Sequence, residues 1–152
     1  EGDELYHFLS ESEFDTKLKA KAFLEWAEVH GGARYGTLVD EIIPAIDAGK
    51  TVIREVDVQG FESIRTHPLF SGPSARYALT SFFLLPESTE QLVTHITGRA
   101  PMTDDELQRR LQSMEREMNY ARHCTAQIVS REGKLDAVVR EIEERLGLTP
   151  PR

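Results

Sequence analysis

Apolar residues recur along this chain with two periods, one typical of strands and one typical of helices. Strands are predicted where apolar and polar residues alternate, or where a short apolar run is bounded by turn residues. Helices are predicted where apolar residues recur every three or four positions behind a capping residue. The predicted strands are residues 6–9, 23–30, 33–37, 51–56, 77–85 and 126–130, and the predicted helices are residues 10–19, 37–48, 58–66, 88–98, 103–122 and 135–146.

Local signals set the ends of these elements. The sequences SESE from Ser10 and TDDE from Thr103 are capping boxes, in which a hydroxyl and a carboxylate satisfy the first N–H groups of a helix. Thr37 is expected to cap the helix that follows it, and Gly49 is expected to end that helix. Gly31-Gly32 predicts a tight turn between two antiparallel strands.

The order of the elements predicts an α/β fold in two parts. Residues 1–37 are expected to form a small antiparallel unit with one helix. Residues 38–152 alternate helix and strand, which favours a parallel sheet flanked by helices on both faces. The run YALTSFFLL, residues 77–85, is too apolar for a half-exposed strand, so it is predicted to be central and buried on both faces.

Composition narrows the function classes. The net charge of -8 disfavours a protein whose main task is to bind nucleic acid backbones, although a small phosphorylated ligand needs only a few local donors. No apolar run approaches the roughly 20 residues of a membrane helix, and no leader pattern is visible, so the cytoplasm is the expected compartment. One cysteine and five histidines without ligand spacing predict neither an internal disulfide nor a metal site built by the protein alone.

Glu25 stands out because it lies in the apolar run FLEWA. A carboxylate there is costly unless a partner pairs with it. Guanine presents N1–H and N2–H₂ side by side, which match the two oxygens of a carboxylate, and adenine has no such pair. The alternative is a glutamate on the solvent face of a two-stranded unit.

Two acids, Glu55 and Asp57, end the predicted strand TVIREV. Ligands of open α/β sheets bind at this edge, where an acid could help to hold Mg²⁺ through waters or could orient an arginine or a ligand hydroxyl. The alternative is a pair of solvated acids at an exposed strand end.

Other candidates are donors to phosphate. Tyr6 and Tyr35 could donate hydroxyls, although most tyrosines in such strands are packing residues with a wet tip. Arg99, Arg109 and Arg110 flank a loop and could form a lid over transferring phosphates, or could simply lie on a solvated helix face.

No phosphate-binding loop is present in these 152 residues. The nearest match to G-x-x-x-x-G-K-[ST] is PAIDAGKT, residues 44–51, which begins with proline and lies between a helix and a strand in the reverse of the required order. We interpret it as the end of a helix followed by the start of a strand.

Taken together, five segments resemble the guanylate kinase family, and the resemblance covers nearly the whole chain. The segments are DELYHF, FLEW, ARYGT, EVDVQG and HITGRAPMTDDELQRRL. The resemblance implies a P-loop-kinase-like parallel sheet with a GMP-binding unit at residues 1–37, a core α/β region at 38–152 and a helical lid at about 95–112. It implies that Tyr6 and Tyr35 bind the GMP phosphate, Glu25 and Thr37 bind guanine, Asp57 lies beside the nucleotide, and Arg99 and Arg110 contact ATP phosphates.

The chain departs from the family pattern at several positions. Glu55 replaces the first aspartate of the acidic strand end, His95 replaces a lid arginine, and Ser130 replaces an asparagine near the adenine. The first central strand and the phosphate loop of the family are absent from these 152 residues. We therefore expect the 152 residues to be the C-terminal part of a longer protein.

The resulting hypothesis is ATP-dependent phosphorylation of GMP to GDP, with Mg²⁺ accompanying ATP, and with Asp57, Arg99 and Arg110 as the residues nearest the chemistry. The alternative is a catalytically inactive guanylate-kinase-like module that binds a phosphorylated partner, and a weaker third possibility is a kinase for another nucleoside monophosphate. The expected partners are GMP and ATP, without nucleic acid or membrane, for a monomer or homodimer.

Overall fold

The computed structural model describes residues 7–28, 32–99 and 102–148. The described residues cluster in two compact units, residues 1–78 and 79–152. The predicted division after residue 37 does not coincide with this boundary, and it stays a prediction about substrate binding. The strands are β1 Phe23–Glu28, β2 Arg34–Leu38, β3 Phe82–Pro86 and β4 Ala126–Ser130, and the helices are α1 Glu11–Lys19, α2 Val39–Asp47, α3 Val58–Thr66, α4 Thr89–Arg99, α5 Asp104–Met118 and α6 Leu135–Leu146, with a short 3-10 helix at Asn119–His123.

In the first unit, β1 and β2 form an antiparallel pair, as predicted. The predicted capping box of α1 is present, with Ser10 accepting from the Glu13 N–H. Helix α1 places the buried Phe14 ring against Phe23, with 4.6 Å between the ring centres. Helix α3 packs on β1 and buries Ile64. Both helices thus pack against β1, the strand that carries Glu25.

Helix α2 ends as the sequence predicted. Gly49 has a φ of +79°, a left-handed conformation that glycine adopts without strain. The N–H groups of Gly49 and Lys50 donate to the carbonyls of Ile46 and Ala45, which satisfies the last turn of the helix. The segment 44–51 is therefore the end of a helix. It matches the phosphate-loop motif only partly in sequence and does not have the structure of such a loop.

Three predicted features of this unit are wrong. Thr37 does not cap α2, because Leu38 is the N-cap residue and makes no side-chain hydrogen bond there. Residues 7–9 and 51–56 are not strands. A strand needs a partner for its backbone groups, and residues 51–56 make no backbone hydrogen bond to another described residue.

In the second unit, β3 and β4 form a parallel pair in register from Phe82 with Ala126 to Pro86 with Ser130. Ile128 of β4 is 1% exposed, and the buried Val138 belongs to α6, which packs on β4. Helix α4 packs on β3 and α5. This parallel pair with helices against it agrees with the predicted α/β class.

The predicted burial of residues 77–85 on both faces is wrong. Only Phe82–Pro86 is a strand, and Leu84 is half exposed. Among the described residues, β3 has one hydrogen-bonded neighbour, β4, and it is therefore an edge strand of this two-stranded sheet. The apolar run predicted the burial that a strand with two neighbours would have.

Candidate functional site

Glu25 and Thr37 form a buried pair in the middle of the β1–β2 sheet. The two residues lie opposite each other in the strand register, and the Thr37 hydroxyl donates to Glu25 Oε1 at 2.5 Å. Glu25 is 6% exposed and Thr37 is 5% exposed. Burial of a carboxylate is unfavourable without a donor, and the threonine supplies one. Glu25 is therefore not on a solvent face, which was the alternative that its sequence left open.

One oxygen of Glu25 is left for a further donor. Oε2 accepts no hydrogen bond from another residue in the described part of the chain. No fully buried polar side-chain atom there lacks a partner, so Oε2 keeps some access to solvent and can be reached by a ligand. A carboxylate has about four lone-pair sites, so Oε1 can also accept a second bond. The pair can thus receive two neighbouring N–H groups of a ligand.

Arg54 completes this pair, although the sequence analysis did not single it out. Its Nη2 donates to Thr37 Oγ1 at 3.0 Å, so the three side chains form a chain of hydrogen bonds from Arg54 through Thr37 to Glu25. The only signal in the sequence was a charged residue inside the apolar run TVIREV. That signal was weak, because Arg54 is exposed and does not need a partner as the buried Glu25 does.

Asp57 lies at the start of α3, beside the same pair. It is the N-cap residue of α3, and its Oδ1 accepts from the Gly60 N–H at 2.7 Å. Gly60 is buried, and a Cβ atom built there would lie 3.3 Å from Asp57 Oδ1 and 3.4 Å from Glu25 Oε2. The two carboxylates therefore meet at one glycine, and we call Glu25, Thr37, Arg54, Asp57 and Gly60 the Glu25 cluster.

The remaining candidates of the first unit lie at or near this cluster. Tyr35 is two residues from Thr37 on β2, and alternate residues of a strand share a face, so the two side chains are on the same face. Tyr35 is 45% exposed. Glu55 is exposed and makes no hydrogen bond with another described residue. Tyr6 lies outside the described residues.

The candidates of the second unit lie on helices and at the end of β4. Arg110 is exposed on α5, and Arg99 ends α4, but the side chain of Arg99 is outside the described part of the structure. His95, the departure from a lid arginine, is exposed on α4. Ser130 ends β4, and its carbonyl accepts from Gln91 Nε2 at 3.2 Å.

The segment that is predicted to form a lid has a well-defined helix start. The backbone N–H and the hydroxyl of Thr103 bond to the Glu106 carboxylate and lower its pKa. The Glu106 N–H donates in return to the Thr103 hydroxyl. The predicted capping box is therefore present, and it sets the first turn of the helix that carries Arg109 and Arg110.

No preformed metal centre is found in residues 7–28, 32–99 and 102–148, since these contain no group of three side chains that could hold a metal ion. Within the same residues no helix is long and apolar enough to cross a membrane. The chemical groups that the first unit brings together are thus two carboxylates, a hydroxyl, a guanidinium and a helix N-terminus.

Comparison with known proteins identifies the family and agrees with the fold. The guanylate kinase family model matches residues 1–147. The chain belongs to the guanylate kinase family. It is 39% identical to a guanylate kinase of Nocardia farcinica over 114 residues, which are 74% of this chain and 55% of that protein. It is 34% identical to a guanylate kinase of Synechococcus elongatus over 138 residues, which are 91% of this chain and 69% of that protein.

A solved guanylate kinase structure shares the fold. The crystal structure of guanylate kinase from Anaplasma phagocytophilum superposes with a TM-score of 0.67 at 22% identity, covering 97% of this chain and 66% of that one. The chain spans about half the length of several of the curated guanylate kinases that it matches. Family membership and the P-loop-kinase-like α/β fold, predicted from the resemblance, are both confirmed.

Proposed function

We propose that this chain binds GMP through the Glu25 cluster and takes part in ATP-dependent phosphorylation of GMP to GDP. The observation that supports the proposal best is the buried Glu25 carboxylate, which Thr37 holds by one oxygen while the other has no partner among the described residues. A buried acceptor of this kind favours a ligand with matching N–H donors and rejects one that leaves it unpaired.

Guanine supplies these donors and adenine does not. Its N1–H and N2–H₂ groups lie side by side and can both point at one carboxylate, whereas the same edge of adenine presents an acceptor at N1 and no amino group at C2. An adenine base in this site would leave Oε2 of Glu25 without a donor. The cluster therefore supports selection of GMP over AMP.

The other proposed roles follow from family membership. Tyr6 and Tyr35 would donate to the phosphate of GMP, and the exposed Tyr35 hydroxyl is available for this. In the second unit, Arg99 and Arg110 would bind phosphates of ATP, and Ser130 would lie near its adenine. Phosphoryl transfer depends mainly on positioning and on neutralising the charge of the phosphates, which are tasks suited to these groups.

Mg²⁺ fits this proposal as a companion of ATP. It commonly binds one or two carboxylates together with waters and substrate phosphates. Asp57 Oδ1 is already engaged by the Gly60 N–H, whereas the exposed Glu55 carboxylate makes no hydrogen bond with another described residue. These acids suit a role through bound waters, where the ion would neutralise phosphate charge. Cytoplasmic location and a monomeric or homodimeric state remain predictions.

The central test is Glu25→Gln, which keeps the shape of the side chain and replaces one acceptor oxygen by an NH₂ donor. Loss of a hydrogen bond between charged and neutral groups costs about 1.5–3 kcal/mol, so we expect GMP affinity to fall roughly 10- to 150-fold. The affinity for AMP should change little. Titration calorimetry with GMP and AMP measures both, and formation of GDP from GMP and MgATP measures turnover.

Glu28→Gln is the matched control, because Glu28 is an exposed glutamate on the same strand. It should leave the affinities for GMP and AMP as they are. Equal affinity of the unmodified chain for the two nucleotides would remove the proposed function. Binding of a phosphorylated peptide in place of GMP would support the inactive binding module instead.

A further inference from the structure

Arg54 gives the hydrogen bonds of the Glu25 cluster a fixed direction. A guanidinium carries only donors, so Thr37 Oγ1 must accept from Arg54. The single hydroxyl proton of Thr37 then points to Glu25 Oε1. Thr37 thus accepts from Arg54 and donates to Glu25, and the order of donors from Arg54 to Thr37 to Glu25 cannot be reversed.

The fixed direction constrains the carboxylate. Without Arg54 the Thr37 hydroxyl could rotate and accept from a ligand or from water, since a hydroxyl is both a donor and an acceptor. With Arg54 in place, the Thr37 hydroxyl keeps donating to Glu25 Oε1, and this hydrogen bond sets the plane of the carboxylate. Two neighbouring N–H groups can bind both oxygens only if that plane is correct.

Arg54 also has no competing partner that would explain its position. In the described part of the chain it makes no ion pair, and its bond to Thr37 is the only hydrogen bond that joins residues 51–56 to β1 and β2. Its neighbour Ile53 is 69% exposed, so this segment is not held there by burial of that side chain. The arginine is thus directed at the cluster by a single contact.

We propose that Arg54 is a positioning residue for guanine recognition, which acts through Thr37 to hold the Glu25 carboxylate in the orientation that accepts two N–H groups. This inference rests on the proposed function, since it concerns the same base. It predicts a specific defect. Loss of Arg54 should weaken GMP more than IMP, because hypoxanthine presents N1–H but lacks the 2-amino group and so needs only one well-placed oxygen.

The experiment compares Arg54→Met and Arg54→Lys with the unmodified chain, using GMP, IMP and AMP as ligands in titration calorimetry. For Arg54→Met we expect a fall of about tenfold in GMP affinity, the size of one lost hydrogen bond, and a smaller fall for IMP. Arg54→Lys keeps a charged donor and should restore most of the preference for GMP over IMP.

Two further variants separate positioning from a general effect on the fold. Arg76→Met removes an exposed arginine of the same unit, which lies over the Tyr77 ring and outside the cluster, and should leave the preference unchanged. In a Thr37→Val background, Arg54→Met should have no further effect on the ratio of GMP to IMP affinity, because Arg54 acts through that hydroxyl.

The outcomes separate this inference from the proposed function. If the unmodified chain prefers GMP to AMP but Arg54→Met leaves the GMP to IMP ratio unchanged, Arg54 is a structural tether and the inference is wrong. If the unmodified chain does not prefer GMP to AMP, the proposed function and the inference about Arg54 are both wrong. If Arg54→Met does not fold, Arg54→Gln replaces it. The inference would then be overturned if Arg54→Gln had the same ratio of GMP to IMP affinity as the unmodified chain and Arg54→Lys failed to bind GMP.

Discussion

At the scale of single residues, Gly60 shows how closely the two carboxylates of the cluster approach a backbone. It lies in the first turn of α3, where its N–H donates to Asp57. A Cβ atom there would lie 3.2 Å from the Val56 Cβ and nearly as close to oxygens of Asp57 and Glu25. The distances to Val56 and Asp57 are tighter than ordinary contacts, so a side chain at this position would require these two neighbours to shift by a few tenths of an ångström.

Gly60→Ala is therefore expected to weaken GMP binding, although alanine is the better helix former by up to about 1 kcal/mol. Gly98→Ala is the matched control, because Gly98 is a helical glycine of α4 and a Cβ there would have no described atom within 4 Å apart from its chain neighbours and the nearby backbone of its own helix. We expect the control to raise the free energy of unfolding by about 0.4–1 kcal/mol. Chemical denaturation and GMP titration of both variants test this, and an equal gain in stability with unchanged GMP affinity at Gly60 would contradict it.

At the scale of elements, most caps and stops predicted from neighbouring residues are present, whereas two predictions that depend on distant residues are wrong. The capping boxes at Ser10 and Thr103 and the stop at Gly49 depend on residues within a few positions, and each is present. Residues 51–56 have the apolar pattern of a strand but lack backbone partners among the described residues. Thr37 has the sequence position of a cap, yet its hydroxyl is taken by Glu25, twelve residues away. Strand pairing and buried hydrogen bonds involve distant residues, which periodicity does not report.

Thr103→Ala tests the contribution of a cap to the predicted lid. It removes one hydroxyl that makes two hydrogen bonds. The hydroxyl accepts from the Glu106 N–H and donates to the Glu106 carboxylate. The expected cost is about 1 kcal/mol of helix stability, seen as faster amide hydrogen exchange in the first turns of α5. Ser113→Ala, in the middle of the same helix, is the control and should not accelerate exchange, because alanine is the stronger helix former. Unchanged exchange in Thr103→Ala would show that the capping box does not stabilise the helix.

At the scale of the whole chain, the sequence predicted more of the site than of the sheet. Glu25, Thr37 and Asp57 were identified as candidates, and the structure brings them together at Gly60. Arg54 was not among the predicted site residues, because an exposed arginine in an apolar run does not by itself indicate a contact. The burial of residues 77–85 was overestimated because an apolar run reports the preference of a strand for burial, and the number of its neighbours is a property of the assembled sheet.

The stability of the first unit should depend on pH through His67, which follows α3. Burial lowers the pKa of its imidazole from the usual 6.5, and its Nδ1 accepts from the Leu69 N–H, which requires that nitrogen to be unprotonated. Between the lowered pKa and 6.5 the unfolded chain binds more protons than the folded chain. The free energy of unfolding therefore rises as pH increases through this window. The contribution of His67 is fully present above pH 6.5 and is lost as the pH falls from 6.5 through the lowered pKa.

His67→Gln should flatten this part of the stability curve, because the side chain no longer titrates. Urea denaturation between about pH 5 and pH 7.5 measures the slope for the unmodified chain and for the variant. His95→Gln, which replaces an exposed histidine of α4, shows whether removal of any histidine has the same effect. A slope that persists unchanged in His67→Gln would assign the pH dependence to other groups, and it would mean that the bond from the Leu69 N–H does not hold the imidazole in its neutral form.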